Sequence, residues 1–331
     1  MGAQRGVGLI VSIAALVVVC AASVLIGSKG LSWDELIHAL TSPTGTATDQ
    51  IIWDLRVPRT AVGIIVGAAL GAAGALIQAL TRNPLGDPGI LGVNAGASLF
   101  VLLGVVVFGT ATAAGYMWFA FLGAFVATAA VYLIGVIGAR GVDHVRMTIA
   151  GVALGAVLVG IGSTITLLNP AAFKLMRGWE AGSFVERGTD VYLPVLGFVV
   201  VGLILAIALA HPLNALGLGD DLALALGAGV PATRSLTILA ITLLAGGATA
   251  IAGPIAFVGL MVPHVARWIV GPDQRWIIPF SIVLAPTLLL VADIVGRVVL
   301  APSEVPVGIV TAFIGAPVLI ALVRRARVSA L

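Results

Sequence analysis

Two pairs of charged residues have the type and spacing to build an ionic site. Arg56 and Arg59 flank Pro58, and Arg297 follows Asp293 by four residues. On a helix, acid and base four apart share one face and can pair. Arg56 and Arg59 stand where an apolar run begins, and proline suits the first turn of a helix. Two uses fit them: snorkelling toward lipid headgroups, or a dock for an acidic partner that Arg297 would join. A second polar island is residues 211–234, HPLNALGLGDDLALALGAGVPATR. Asp220 and Asp221 precede Leu222, Leu224 and Leu226, and Gly219, Gly227 and Gly229 frame them. An acidic first turn followed by leucines and a glycine stop predicts two short helices joined at a glycine. The leucines are too few to span a membrane. A structured connection of this length is usually functional, which favours a docking surface for a cytoplasmic protein over a plain connector.

Covalent chemistry has no foothold. There is no H-E-x-x-H, G-x-S-x-G or phosphate-loop motif. His264, in Pro263–Trp268 (PHVARW), has no second His or Cys near it in sequence and reads as a hydrogen-bonded structural residue, not a metal ligand. No catalytic residue, metal site or cofactor is assigned. The single cysteine, Cys20, excludes an internal disulfide. Acidic residues in the middle of apolar runs are also missing, since Asp293 sits near one end of its run. A proton- or sodium-coupled transporter usually needs a buried carboxylate or an unwound helix centre. Energy for transport would then enter elsewhere, and residues 211–234 are the place to receive it.

The elements that position these residues are membrane helices. Of 331 residues, 60% are apolar and 9% charged, against about 25% charged in soluble domains. Apolar runs of spanning length lie at 6–27, 58–80, 90–108, 114–138, 147–168, 191–210, 235–252, 277–296 and 305–323, with a shorter one at 255–270. Their length and lack of alternation predict helices, giving an all-α polytopic protein of about ten transmembrane helices in a single domain, 1–331. The first run exceeds a signal-peptide core and has no A-x-A site after it, so it reads as a retained span. An even count puts both termini on one side. The tail Arg324-Arg325-Ala326-Arg327 makes that side cytoplasmic, together with Arg5, Arg82, Arg140, Arg146, Arg234, Arg267 and Arg275. Lys29, Arg56, Arg59, Lys174, Arg177, Arg187 and Arg297 then face out, and the outer arginines need a reason. The run after Arg59 carries Gly63, Gly67 and Gly71 at i, i+4 and i+8, continued by Ala75 and Ala79, a smooth stripe for close helix packing. Gly63–Val93 and Leu243–Asp273 both place a Gly-rich helix before a Pro-broken turn, a hint of internal duplication. The net charge of +3 is small and dispersed, which gives no nucleic-acid surface.

Long phrases of the chain resemble the FecCD family, the permease subunits of type II ABC importers for iron-siderophores, haem and vitamin B12. They are Arg56–Thr60, Gly67–Ser98, Gly253–Gly271, Leu288–Arg297 and Glu304–Arg325, so the resemblance runs nearly end to end. LTRNPLGDPGILGVNAGAS and GLMVPHVARWIVG are most similar to the ferric-enterobactin type. The resemblance implies a permease dimer, with a homologous second subunit as partner, in the cytoplasmic (inner) membrane of a bacterium. It implies two ATP-binding subunits below, an extracytoplasmic substrate-binding protein above, and ferric siderophore as cargo. It assigns Arg56, Arg59 and Arg297 to meeting glutamates of the binding protein. It assigns the 211–234 loop, with Asn214, Leu218, Gly219, Asp220, Asp221, Ala223, Leu226 and Gly227, to contact with the ATPase. The stretch around Arg177–Phe184 falls near the translocation path. Haem or cobalamin as cargo, and an ion-coupled secondary transporter, are the alternatives.

Overall fold

The computed structural model describes residues 2–110, 112–136 and 144–328. Arg140 lies outside them, and for Arg324, Arg325 and Arg327 the helical backbone alone is described. The described residues form helices and no strand. In chain order these are α1 (Gly2–Leu25), α2 (Trp33–Thr41), α3 (Ala47–Gln50), α4 (Val57–Thr81), α5 (Val93–Phe108), α6 (Ala113–Val136), α7 (His144–Leu168) and α8 (Pro170–Glu180). After them come α9 (Thr189–Ala208), α10 (Ala210–Gly217), α11 (Asp220–Ala225), α12 (Val230–Ala252), α13 (Val258–Val270), α14 (Gln274–Val299) and α15 (Val307–Val328). Each of the ten apolar runs is helical over most of its described length. Among the described residues, seven helices are long and apolar enough to cross a membrane, and α5, α13 and α15 contribute shorter apolar segments.

The helix carrying the first two arginines begins earlier than its apolar run. Thr46 and Asp49 form a capping box that starts α3, and a π turn over Ile51–Arg56 carries the rod into α4 without a break. So Arg56 and Arg59 lie within a 35-residue rod, Ala47–Thr81, and do not open it. Pro58 explains the π turn. Proline has no N–H to donate, and its ring crowds the carbonyl four residues back, so widening the turn just before it costs little regular bonding. The segment 28–55 is likewise not an open loop, because a Ser32–Glu35 capping box folds α2 within it.

α4 is the axis of the bundle. The most apolar stretch of its rod is 83% buried, as is that of α12, whereas those of α1 and α7 are 6% buried and stand at the periphery. α4 packs against α12, α13 and α14. Its glycines set the distance to α14: a Cβ at Gly63, Gly67 or Gly71 would stand 2.5, 2.5 and 2.3 Å from Leu290, Pro286 and Ser281 atoms. Against α13, the buried Gln78 spans a defect. Pro263 removes the N–H that would bond the Gly259 carbonyl, and Gln78 Nε2 donates to the carbonyls of Leu260 at 2.9 Å and Gly259 at 3.4 Å. α4 and α12 each end at a Pro-containing break, at opposite ends of the bundle because the two helices run antiparallel. The bundle therefore has two polar ends, one holding Arg56 and Arg297, the other holding α10 and α11.

Candidate functional sites at the two ends of the bundle

At the arginine end, all three arginines turn inward. Arg56 donates to the carbonyls of Val24 (3.0 Å), Leu25 (2.7 Å) and Lys29 (2.8 Å). Arg297 donates to the carbonyls of Ser23 (2.7 Å) and Ile26 (3.1 Å) and to the Ser23 hydroxyl (3.1 Å). Those of Ser23, Val24 and Leu25 lie in the last turn of α1, which leaves them without helical partners, and those of Ile26 and Lys29 follow in the chain just after it. Two guanidiniums thus cap α1 and meet the negative end of its dipole. Arg59 grips Asp293 through Nε (3.1 and 3.0 Å) and through a second nitrogen at 2.7 Å, while its remaining nitrogen donates to Glu304 at 2.6 Å. Arg297 Nε donates to the same Asp293 at 2.9 Å, so the expected i,i+4 pair is present. Asp293 is 0% exposed and Arg297 1%.

This is not the snorkelling arrangement. The arginines fasten α1, α4, α14 and the α14–α15 connection to one another, and a partner would meet the rim of the cluster. That rim is a cleft of about 150 Å³ bordered by Lys29, Arg56, Arg59, Arg297 and Glu304. Three arginines face two carboxylates, Asp293 and Glu304, which leaves one net positive charge. Burial raises the Glu304 pKa, but the hydrogen bond and charge of Arg59 outweigh it and the net shift is downward, so Glu304 stays ionised. Glu304 and the α1 carbonyls are the parts that sequence reasoning missed. Glu304 is distant in sequence, and a backbone acceptor has no residue signature at all.

At the other end, α10 and α11 are the two short helices expected, joined through Gly219 at φ +109° and closed by Gly227 at φ +79°. Asp220, at the start of α11, pairs with Arg82 (2.5 Å) and Arg234 (2.8 Å). Burial pushes its pKa up, but the two arginines outweigh that and the net shift is down. Ala223 is fully buried beneath α11, while Leu218, Leu222 and Leu226 are 62%, 57% and 66% exposed. Leu222 and Leu226 are four apart at α11, and with Leu218 just before the Gly219 break they form an exposed apolar edge. Asp221 forms no ion pair among the described residues.

Asn214 clips α10 to the start of α14. Its Nδ2 donates to Asp273 at 2.6 Å, and its Oδ1 accepts from the Gln274 backbone N–H at 2.8 Å. The Arg275 hydrogen bond, opposed by burial and aided by Asn214, holds the Asp273 pKa down at about 2. A depressed carboxylate pKa stabilises the fold above its ordinary value of 3.8 and loses that contribution as pH falls through the folded value. Protection from amide exchange across 210–218, taken relative to the intrinsic rate at each pH, should therefore hold from neutral pH down to about 4 and then fall toward pH 2. Loosening of α10 already near pH 6 would contradict this account of the clip.

Between α5, α7 and α8 lies a cleft of about 400 Å³ lined by Ser98, Ser163, Thr166, Phe173, Arg177 and Glu180 among others. One wall is α7, through residues such as Gly162 and Ser163; α7 is thinly packed, and nearby Gly160 has no neighbour within 4 Å of an added Cβ. Among the described residues no group of three or more His, Cys, Asp or Glu could hold a metal ion.

Among the described residues, seven helices of membrane-spanning length and apolarity, three shorter apolar helices and two polar ends make this a polytopic α-helical membrane protein. A family model of the FecCD transport family matches residues 15–325, and the chain belongs to that family. It is 50% identical over 310 residues to the ferric enterobactin transport system permease protein FepD of Escherichia coli (strain K12), covering 94% of this chain and 92% of that one. It is 41% identical, over 94% of this chain and 93% of the relative, to the probable siderophore transport system permease protein YfiZ of Bacillus subtilis (strain 168). A solved structure described as an inward-facing conformation of a metal-chelate type ABC transporter superposes with a TM-score of 0.84 at 27% identity. That match covers 97% of this chain and 99% of the other. These likenesses agree with the family read from the motifs.

Proposed function

We propose that this chain is the membrane-spanning permease subunit of an ATP-driven importer that carries ferric siderophore across the bacterial cytoplasmic membrane. The observation that carries this reading is the 50% identity to a ferric enterobactin permease along nearly the whole chain. The lack of a mid-membrane acidic relay supports an energy source outside the chain. In this reading ten helices cross the membrane, both termini are cytoplasmic, the arginine end faces out and α10–α11 face in. The chain performs no covalent chemistry, and ATP is hydrolysed on two separate subunits. FepD and FepG are both named as permeases of one ferric enterobactin system, which supports a homologous second permease here.

The cleft under α8 is proposed as part of the pathway, at the peripheral α7. The arginine cluster is proposed as the platform for a substrate-binding protein. Arg56, Arg59 and Arg297 hold that platform rigid, and its net positive charge steers acidic groups toward it. Exposed ion pairs add only about 0.2–1 kcal/mol each, so the dock consists of several weak contacts. Cells relying on this chain should accumulate ferric enterobactin-type complexes in preference to haem or cobalamin. Uptake should stop on ATP depletion and survive an uncoupler that leaves ATP intact. Uptake that collapses with the uncoupler alone would sink the proposal.

The leucine edge is proposed as the seat of the ATP-binding subunit. Replacing Leu218, Leu222 and Leu226 together by Ser removes exposed apolar area that the fold itself does not use. Each leucine contributes up to about 1.5–3 kcal/mol when fully covered. The triple variant should melt like the wild type but lose its ATP-binding subunits during purification. Retention of those subunits would show that the edge is not the seat.

A further inference from the structure

The motif PHVARW contributes a second residue, Arg267, that neither end described above uses. Arg267 lies on the last turn of α13 and lines a cavity of about 430 Å³ bounded by the end of α4, by α10 and by the start of α14. It has no carboxylate partner among the described residues. Its one hydrogen bond is a long one, 3.4 Å to Gln78 Oε1, and its buried Nε has none. The same cavity is lined by Gln274, which is 6% exposed. The Gln274 side chain makes no hydrogen bond among the described residues, and its Oε1 is buried without a partner. Buried polar groups are ordinarily satisfied, and here two unsatisfied ones face one space. An amide rotated about its last bond offers N–H instead of oxygen. Gln274 and Arg267 can then direct donors at one point, with Arg82 at the cavity wall.

We propose that this cavity is a socket for a carboxylate side chain supplied by the ATP-binding subunit. The inference rests on the permease reading and adds a polar contact to the apolar edge. Continuity selects the occupant. Leu218, the first leucine of the edge, also lines the cavity, so a subunit seated on the leucines covers it. Charge agrees: Asp220 occupies Arg82 and Asp273 occupies Arg275, while Arg267 is left for an outside acid. Asn214, which borders the same cavity, ties it to α10. Force on the carboxylate would therefore reach α13 and α14 directly, not only through the loop.

The test uses the permease in nanodiscs titrated with its ATP-binding subunit. Arg267→Gln should weaken binding at least about tenfold, as expected for truncating one partner of a buried charge pair. Gln274→Leu should weaken it by about threefold or more, the loss of an ordinary hydrogen bond. Because the Gln274 side chain bonds nothing among the described residues, that variant decides the matter should Arg267→Gln fail to fold. An acid-to-lysine change in the subunit that restores binding to Arg267→Glu would identify the carboxylate. Wild-type affinity in both Arg267→Gln and Gln274→Leu overturns the socket. So does stabilisation of the lone permease by inorganic phosphate that Arg267→Gln abolishes while subunit binding is unchanged, since the cavity would then be a free-anion site. If the leucine variant releases the subunit but the socket variants do not, the socket alone fails. If none of the variants releases it, the docking reading fails with it.

Discussion

Asp293→Ala is expected to cost about 3–5 kcal/mol and to leave little folded protein in detergent, because it strips the shared counter-ion from the buried Arg297 and the partly buried Arg59. Asp293 is fully buried and bonded by both Arg59 and Arg297. The cost comes less from the lost attraction than from the charge left behind. Arg297 is 1% exposed and cannot turn to water. Asp293→Asn should be nearly as harmful, since it keeps the shape but presents an N–H to guanidinium N–H groups. Replacing a whole buried ionic group by apolar residues is often tolerated, so a second change, Arg297→Met, would relieve part of the loss in Asp293→Ala. Relief should stay partial, because Arg297 also caps the carbonyls of Ser23 and Ile26. Thermal melts of the two single variants and the double variant test this. A melting temperature for Asp293→Ala equal to that of the wild type would mean that the cluster contributes nothing to stability.

The helices were legible because their cause is local. Runs of apolar residues of membrane length and glycines four apart are written in one stretch of chain, and so was the Asp293–Arg297 pair. The α10–α11 pair was legible for the same reason, from an acidic turn, spaced leucines and glycine stops. What was illegible depends on backbone atoms or on distant partners. Arg56 is occupied by three carbonyls, and carbonyls are the same at every residue. Arg59 meets Glu304 across 245 positions. The early start of the α4 rod came from a capping box upstream of the apolar run. In the proposed docking role, the arginines first hold their end of the bundle together and only then present it. Their reversal to Glu would unmake the platform as well as its charge. A docking experiment is therefore better made at the rim, by Lys29→Glu, where the fold has little at stake.

The second large effect lies where the visible glycine stripe does not point. Gly63, Gly67 and Gly71 face α14, but Gly74, one residue off that line, faces α13. A Cβ there would stand 1.9 Å from the Gly259 carbonyl oxygen and 2.5 Å from its Cα and carbonyl carbon. At Gly63 the obstructing atoms belong to the Leu290 side chain, which can rotate. At Gly74 they are backbone, and α13 cannot retreat without breaking the Gln78 bonds to the carbonyls of Leu260 and of Gly259, the one Pro263 leaves open. Gly259 is itself pressed by Pro88 at 3.1 Å and by the Leu70 carbonyl at 3.2 Å from its own hypothetical Cβ. Gly74→Val should therefore cost about 3 kcal/mol or more, the upper end for overpacking, and should move α13 with its Arg267. Gly160→Ala, with open space around it, should change stability by no more than about 0.5 kcal/mol. Melting temperatures of the two purified variants separate contact from mere glycine loss, because both substitutions remove a glycine from a helix and only one drives it into a neighbour. Equal melting of Gly74→Val and the wild type would show that α4 and α13 are not in this register.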